Sequence, residues 1–280
     1  MGLGWMDAGI AGLFGLFIGS FLNVVIHRMP KMMEAQWARE CAELQGTEAP
    51  AEGKPFNLAT PRSRCGKCGH AIRWFENIPV LSYVALRGKC SGCSAPIGLR
   101  YPAVEIATAA LFAFCGARWG LTFTGAAWAL FCAAIVALAM IDWDTTFLPD
   151  DITLPLLWAG LIAAALKITG VPLADSLWGA VAGYMSLWLI YWVFKLATGK
   201  EGMGYGDFKL FAALGAWFGW QALVPIILMA SVIGAIIGIA MKVSSSLREG
   251  GYVPFGPFLA AAGLTAMIFG PSSILRAIGL

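Results

Sequence analysis

The chain has 280 residues, 59% of them hydrophobic and 12% charged, with a formal net charge of +3 and a mean hydropathy of +0.74. A composition this apolar excludes a soluble globular domain. Apolar stretches near the ~20 residues needed to cross a bilayer recur along the sequence, which points to an all-α polytopic membrane protein rather than a barrel.

About eight transmembrane helices are expected, over residues 7–26, 104–117, 123–141, 154–168, 176–196, 208–220, 222–241 and 255–269. The first lacks a basic leader, and its positive residues, Arg28 and Lys31, follow it, so it reads as a retained helix rather than a signal peptide. The sixth is short and contains glycine. Of the 19 lysines and arginines, 11 fall in residues 28–100, the one long hydrophilic segment, and the positive-inside bias places that segment in the cytoplasm. The amino terminus is then outside, residues 142–151 and 195–209 are cytoplasmic, and residues 170–175 are outside. Lys242 and Arg248 also fall on the cytoplasmic side by this count.

Within the hydrophilic segment, Cys65-Gly-Lys-Cys68 and Cys90-Ser-Gly-Cys93 form two knuckles separated by 21 residues. Each knuckle can place two sulfurs on one metal, so Cys65, Cys68, Cys90 and Cys93 suit a tetrahedral structural Zn²⁺ site. Disulfides are disfavoured in a reducing cytoplasm. Four thiolates complete such a site, which leaves His70 as ordinary surface. Cys41 has no knuckle partner, and Cys115 and Cys132 lie in apolar helices as small buried hydrophobes. The first part of the segment is acidic, with Glu34, Glu40, Glu43, Glu48 and Glu52 against Arg39, whereas Lys54 to Arg100 carry basic residues against Glu76. The acidic part reads as a solvated helix, with attraction of a basic peptide as the alternative.

The expected organisation is therefore a first transmembrane helix at 1–27, a cytoplasmic zinc-binding loop domain between helices 1 and 2 at 28–101, and a transmembrane core at 102–280. Two stretches of that core carry candidate chemistry. Asp142, Asp144, Asp150 and Asp151 cluster at a membrane edge, where ionisable groups are functional candidates by default. Asp150 and Asp151 are expected to cap the following helix. The second stretch, Gly204-Tyr-Gly206-Asp207-Phe-Lys209, places a carboxylate after paired glycines, whose lack of side chains permits unusual dihedrals and close approach of another chain. Asp142 and Asp207 are two membrane crossings apart and so return to the same face. Two carboxylates in one partly dry site do not both ionise easily, so one holds a proton while the other serves as base, the state that activates water against a peptide carbonyl.

The sequence resembles the bacterial type IV prepilin peptidases. The likeness runs from Gly19-Ser-Phe-Leu-Asn23 and His27-Arg-Met-Pro30, through both knuckles and Arg100-Tyr-Pro-Ala-Val-Glu105, to Leu148-Pro-Asp-Asp-Ile-Thr-Leu-Pro155 and Gly204-Tyr-Gly-Asp-Phe-Lys209. It implies a membrane aspartic endopeptidase that removes a short basic leader after glycine from type IV prepilins or type II secretion pseudopilins. It further implies methylation of the new amino terminus with S-adenosylmethionine. On this likeness the catalytic pair is Asp142, seven residues before the Leu-Pro turn, with Asp144 its nearest rival, and Asp207. Gly204, Gly206 and Lys209 support the second aspartate. Methyl transfer is tied to the cysteine loop, and Gly88, two residues before the third cysteine, matches a glycine implicated in it. No strand-helix nucleotide turn locates S-adenosylmethionine independently. The implied setting is the bacterial inner membrane with a cytoplasmic-side active site, membrane lipid as surroundings and no nucleic-acid partner.

Two rival chemistries fit parts of the pattern. A lipid phosphotransferase would use the aspartates to hold Mg²⁺ against pyrophosphate. A proton-coupled transporter would place them in mid-helix and use the zinc loop for docking.

Overall fold

The structure is a computed structural model that describes residues 4–47, 55–244 and 253–277; Glu48, Glu52, Lys54 and Arg248 lie outside the described residues. The described residues are mostly helical and contain no strand. The chain divides into two compact units, Met1–Ala133 and Ala134–Leu280.

In the first unit, α1 (Gly4–Gln45) packs along α3 (Arg100–Trp119). Glycines make the close approach possible: a Cβ on Gly15 would lie 2.8 Å from Phe112 Cβ, and one on Gly19 only 2.7 Å from Glu105 Cα. Small residues at such a seam bring helix backbones together where lipid offers no hydrophobic drive. The first helix exceeds the expected 7–26, continuing through Pro30 and carrying Glu34, Glu40 and Glu43 on exposed positions. Between α1 and α3 lies a loop containing a 3₁₀ turn, Trp74–Asn77, and the short α2 (Leu81–Ala85). Two buried charges anchor it. Arg28 donates to the carbonyls of Asn57 at 2.8 Å and Pro61 at 2.7 Å, and Glu105 accepts the Val80 N–H at 2.8 Å. The first half of α4 (Phe123–Thr145) completes the unit, where Cys115 and Cys132 are buried as expected.

The second unit holds the rest of α4, then α5 (Asp150–Ala165), α6 (Leu173–Thr198), α7 (Tyr205–Phe218), α8 (Leu223–Val243), α9 (Gly256–Phe269) and α10 (Pro271–Ala277). The short helix α7 is its centre, with every residue from Asp207 to Trp217 except Lys209 buried. A helix apolar all round is stable only when enclosed. Here α5, α6 and α9 pack on it. Ser176 donates to the Ala216 carbonyl at 2.6 Å, and the Trp217 indole N–H donates to the Leu156 carbonyl at 2.9 Å.

Among the described residues, four helical segments are long and apolar enough to cross a membrane: Gly4–Gln45, Phe123–Thr145, Leu173–Thr198 and Trp220–Val243. The last exposes Val224, Leu228, Val232 and Ile236, a stripe that repeats every turn. Water would penalise such a face, whereas lipid covers it without cost.

Candidate active site

On α4, Ile135, Leu138 and Ile141 are wholly buried, and Asp142 follows four residues after Leu138 on the same face. Asp142 is 4% exposed, whereas Asp144, two residues on, is solvent-exposed. Two residues turn a helix by about 200°, so these carboxylates leave opposite sides of α4. Thr146, with φ of 56°, ends the helix in the left-handed region that β-branched residues rarely adopt. The chain then turns through Leu148-Pro149 into α5.

Asp207 occupies the first turn of α7 and is 7% exposed. Leu148 lies against both neighbourhoods: a Cβ on Gly206, the residue before Asp207, would fall 2.7 Å from its Cβ, and one on Gly256, beside the Asp142 carboxylate, 3.2 Å from its Cδ1. Asp207 Oδ1 is buried and has no hydrogen-bond partner. A carboxylate oxygen in this state is costly to bury and marks a place built for a proton, a water or a substrate group.

The two glycines before Asp207 have different roles. Gly204 is extended, with φ of −80° and ψ of 151°, and a Cβ there would meet only Asp207 Oδ2, at 3.8 Å. A Cβ on Gly206 would fall 2.7 Å from Leu148 Cβ. Close approach by another segment, one of the two expectations for this pair, therefore applies at Gly206, and neither glycine has a positive φ.

Capping does not account for Asp150. Helix α5 begins earlier than expected, so Pro149 stands at the N-cap position and no side chain caps the helix. Asp150 instead forms a two-pronged ion pair with Lys209, both Nζ–O distances being 2.7 Å, which joins the first turns of α5 and α7. Asp151 is exposed, and its charge remains favourable at the positive end of the helix.

Sequence reasoning missed Gly256. Its N–H, at the start of α9, donates to Asp142 Oδ2 at 2.9 Å across 114 residues of chain. The available signal was Phe255-Gly-Pro257 at a helix start, but a backbone donor has no side chain to announce it.

In the first unit, the cysteine knuckles form a second cluster. Sγ of Cys65 lies 3.9 Å from that of Cys93, Sγ of Cys68 lies 4.0 Å from that of Cys90, and all four sulfurs fall within 4.8 Å of one another. Tetrahedral Zn–S bonds of about 2.3 Å would set sulfurs about 3.8 Å apart, whereas a disulfide would need about 2 Å, so the geometry fits a metal. The knuckles share one turn: the N–H of Gly69 donates to the Cys65 carbonyl and that of Ser94 to the Cys90 carbonyl, with φ of 73° and 57°. Backbone N–H groups of Cys68 and Lys67 hold the Cys65 thiol down at about 6, whereas the Cys68 thiol, against the lowering effect of the His70 N–H, is pushed up to about 12 by the Cys93 sulfur and desolvation.

His70 is more than ordinary surface. Its Nε2 lies 3.2 Å from Glu76 Oε2 and 3.1 Å from Ser91 Oγ, and the Ser91 hydroxyl donates to Glu76 Oε1 at 2.6 Å. Residues flanking the two knuckles are thereby tied together. The Arg73 backbone N–H, with Ser91, holds the Glu76 carboxyl down at about 2.

Gly88 has a φ of 66°, and a Cβ there would lie 2.8 Å from the Tyr83 hydroxyl. Its carbonyl accepts the Ile97 N–H at 2.8 Å, so backbone shape alone calls for glycine at this position.

Fold and site together define a class: an apolar helical protein with two buried carboxylates on the ends of separate helices. Residues 13–119 match the Bacterial Peptidase A24 N-terminal domain, and residues 129–239 match the Type IV leader peptidase family. The chain is 52% identical over 258 residues to the prepilin leader peptidase/N-methyltransferase of Pseudomonas aeruginosa, covering 92% of this chain and 89% of that protein. It is 51% identical to the protein of that name from Burkholderia pseudomallei over 95% and 86% of the two chains, and 48% identical to that of Aeromonas salmonicida over 97% and 94%. The chain therefore belongs to the type IV leader peptidase family. No solved structure matches it.

Proposed function

We propose that the chain is a membrane-embedded aspartic endopeptidase that cleaves the basic leader from type IV prepilins and type II secretion pseudopilins after glycine, then methylates the new amino terminus. The observation that carries this reading is the pairing of buried Asp142 and Asp207, with one Asp207 oxygen left without a partner. Their positions at helix ends, rather than in mid-helix, favour chemistry on a substrate over proton transport along the membrane normal.

The two carboxyl groups share one proton. The ionised member takes a proton from water as the water oxygen attacks the scissile glycine carbonyl, and the protonated member donates to the developing oxyanion. Collapse of the tetrahedral intermediate breaks the C–N bond, and a proton passes to the departing nitrogen. The products are a leader ending in a glycine carboxylate and a pilin with a free α-amine, and the shared proton is restored.

Cys65, Cys68, Cys90 and Cys93 would hold one structural Zn²⁺, whose contribution is to fold the loop. S-adenosylmethionine, when bound, supplies the methyl group. Methyl transfer is assigned to residues 87–100 of the same loop, where Gly88 sets the backbone. The full assignment comprises eight membrane crossings, a first helix at 1–27, a cytoplasmic zinc domain at 28–101 and a peptidase core at 102–280. It also places the protein in the bacterial inner membrane with the aspartates on the cytoplasmic side.

The test is mass spectrometry of a co-expressed pilin, which reports the cut site and the added methyl together. Asp142→Asn or Asp207→Asn should each nearly abolish cleavage, and the double variant should be no worse. Asp144→Asn and Asp151→Asn should retain substantial activity. Wild-type kcat should be bell-shaped in pH, with two apparent values that belong to the coupled pair. Strong cleavage by Asp207→Asn would remove the aspartic mechanism, and loss of all activity on Mg²⁺ chelation would favour a phosphotransferase-like metal site.

A further inference from the structure

We infer that Gly256 is a positioning residue of the active site, whose backbone N–H, delivered by the start of α9, orients the Asp142 carboxylate against Asp207. The inference rests on the proposed role of Asp142 and adds to it a third chain segment.

Accounting for the donors of the first turn of α9 singles out this N–H. The N-terminal N–H groups of a helix have no partner within it and must find one elsewhere. Pro257 has no N–H. The N–H groups of Phe258 and Leu259 both turn back to the Phe255 carbonyl, at 3.0 and 3.2 Å. Gly256 is left to donate outward, and it does so to Asp142 Oδ2 at 2.9 Å. The positive end of the α9 dipole reinforces a bond to a carboxylate.

Steric fit makes the same point independently. A Cβ on Gly256 would lie 2.6 Å from Asp142 Oδ2, 3.1 Å from its Cγ and 3.2 Å from Leu148 Cδ1. The backbone therefore approaches the carboxylate more closely than any residue with a side chain permits. Leu148 is also the residue against which Gly206 closes, so the seats of both aspartates share one hydrophobic wedge. The buried, unpartnered Oδ1 of Asp207 completes the picture: one carboxylate is anchored by a fixed donor while the other keeps an oxygen free for the reaction. Anchoring one oxygen of Asp142 limits rotation of its carboxyl plane, and freedom of that kind is what a near-attack geometry must lose.

A bond that served only to close the start of α9 would predict different data. The full chain in detergent is assayed on a synthetic prepilin peptide for kcat, KM and the pH profile of kcat. Gly256→Ala should lower kcat about 10- to 100-fold with KM within about twofold, and should displace the pH profile from that of the wild type. The control is Gly263→Ala, about two turns further along α9, whose Cβ would crowd Leu214 Cδ2 at 2.6 Å, with no atom of either aspartate among its nearest neighbours. It should leave the pH profile in place. A matching displacement in Gly263→Ala would reduce the effect to α9 packing and overturn the inference.

A measurement on the wild type guards against misfolding of the variant. With carbonyl-¹³C phenylalanine and ¹⁵N glycine, four Phe-Gly amides become visible, at Gly15, Gly219, Gly256 and Gly270. One should titrate with the apparent values of kcat and stop titrating in Asp142→Asn. If none titrates, Gly256 does not sense Asp142 and the inference fails. If Asp142→Asn still cleaves, the catalytic assignment itself fails, a result separable from the other two.

Discussion

Gly206→Ala offers a sharp test of how the site is assembled. The added Cβ would sit 2.7 Å from Leu148 Cβ, about 0.8 Å inside the ~3.5 Å at which carbon atoms come into contact. Leu148 cannot yield by changing rotamer, because the clash is with its Cβ. Pro149 and α5 follow immediately, so the backbone must move. Overpacking of this kind costs about 1–3 kcal/mol, while alanine gains about 1 kcal/mol over glycine in helix propensity. The net cost is then about 0–2 kcal/mol, so melting alone is an insensitive report of the clash. Turnover reports it, because Asp207 is the next residue and a shift near 1 Å at a reacting group costs about 100-fold. The expected result with purified enzyme and a prepilin peptide is a kcat about 100-fold down at nearly unchanged KM. Gly204→Ala, with only Asp207 Oδ2 at 3.8 Å from its Cβ, should stay within about threefold of wild type. Leu148→Ala keeps the Cβ and should not rescue Gly206→Ala. A wild-type kcat for Gly206→Ala, or equal damage from Gly204→Ala, would refute the reasoning.

The Asp150–Lys209 pair is partly exposed, so it contributes about 1 kcal/mol or less, and Asp150→Asn should keep cleavage within about fivefold while a double-mutant cycle with Lys209→Met shows weak coupling. Purified protein should contain about one zinc per chain by elemental analysis, lost in Cys65→Ser or Cys90→Ser. Methyl transfer should then suffer more than cleavage; equal loss of both would mean that the loop also supports the peptidase.

Some of this protein was legible one residue at a time. The helical, apolar character of the chain follows from runs of apolar side chains, because a backbone buried in lipid must satisfy its own hydrogen bonds within each segment, and four of the described helices are long and apolar enough to cross a membrane. The cysteine knuckles are equally local, since each fits within a single turn and their spacing alone suggests one metal. Asp142 and Asp207 were also legible as candidates, as carboxylates at the ends of apolar runs, and both are buried in the fold. What remained hidden depends on which face of a helix meets which neighbour. Asp142 and Asp144 look alike in sequence, and only the burial of Ile135, Leu138 and Ile141 turns the first inward and the second out. Asp150 looked like a cap until its pairing with Lys209 was visible across 59 residues. The 206 glycine is explained by Leu148 and the 256 glycine by Asp142, in each case by a distant segment that comes too near for any side chain. Periodicity encodes the faces of single helices, whereas close approaches and backbone donors exist only once those helices have packed.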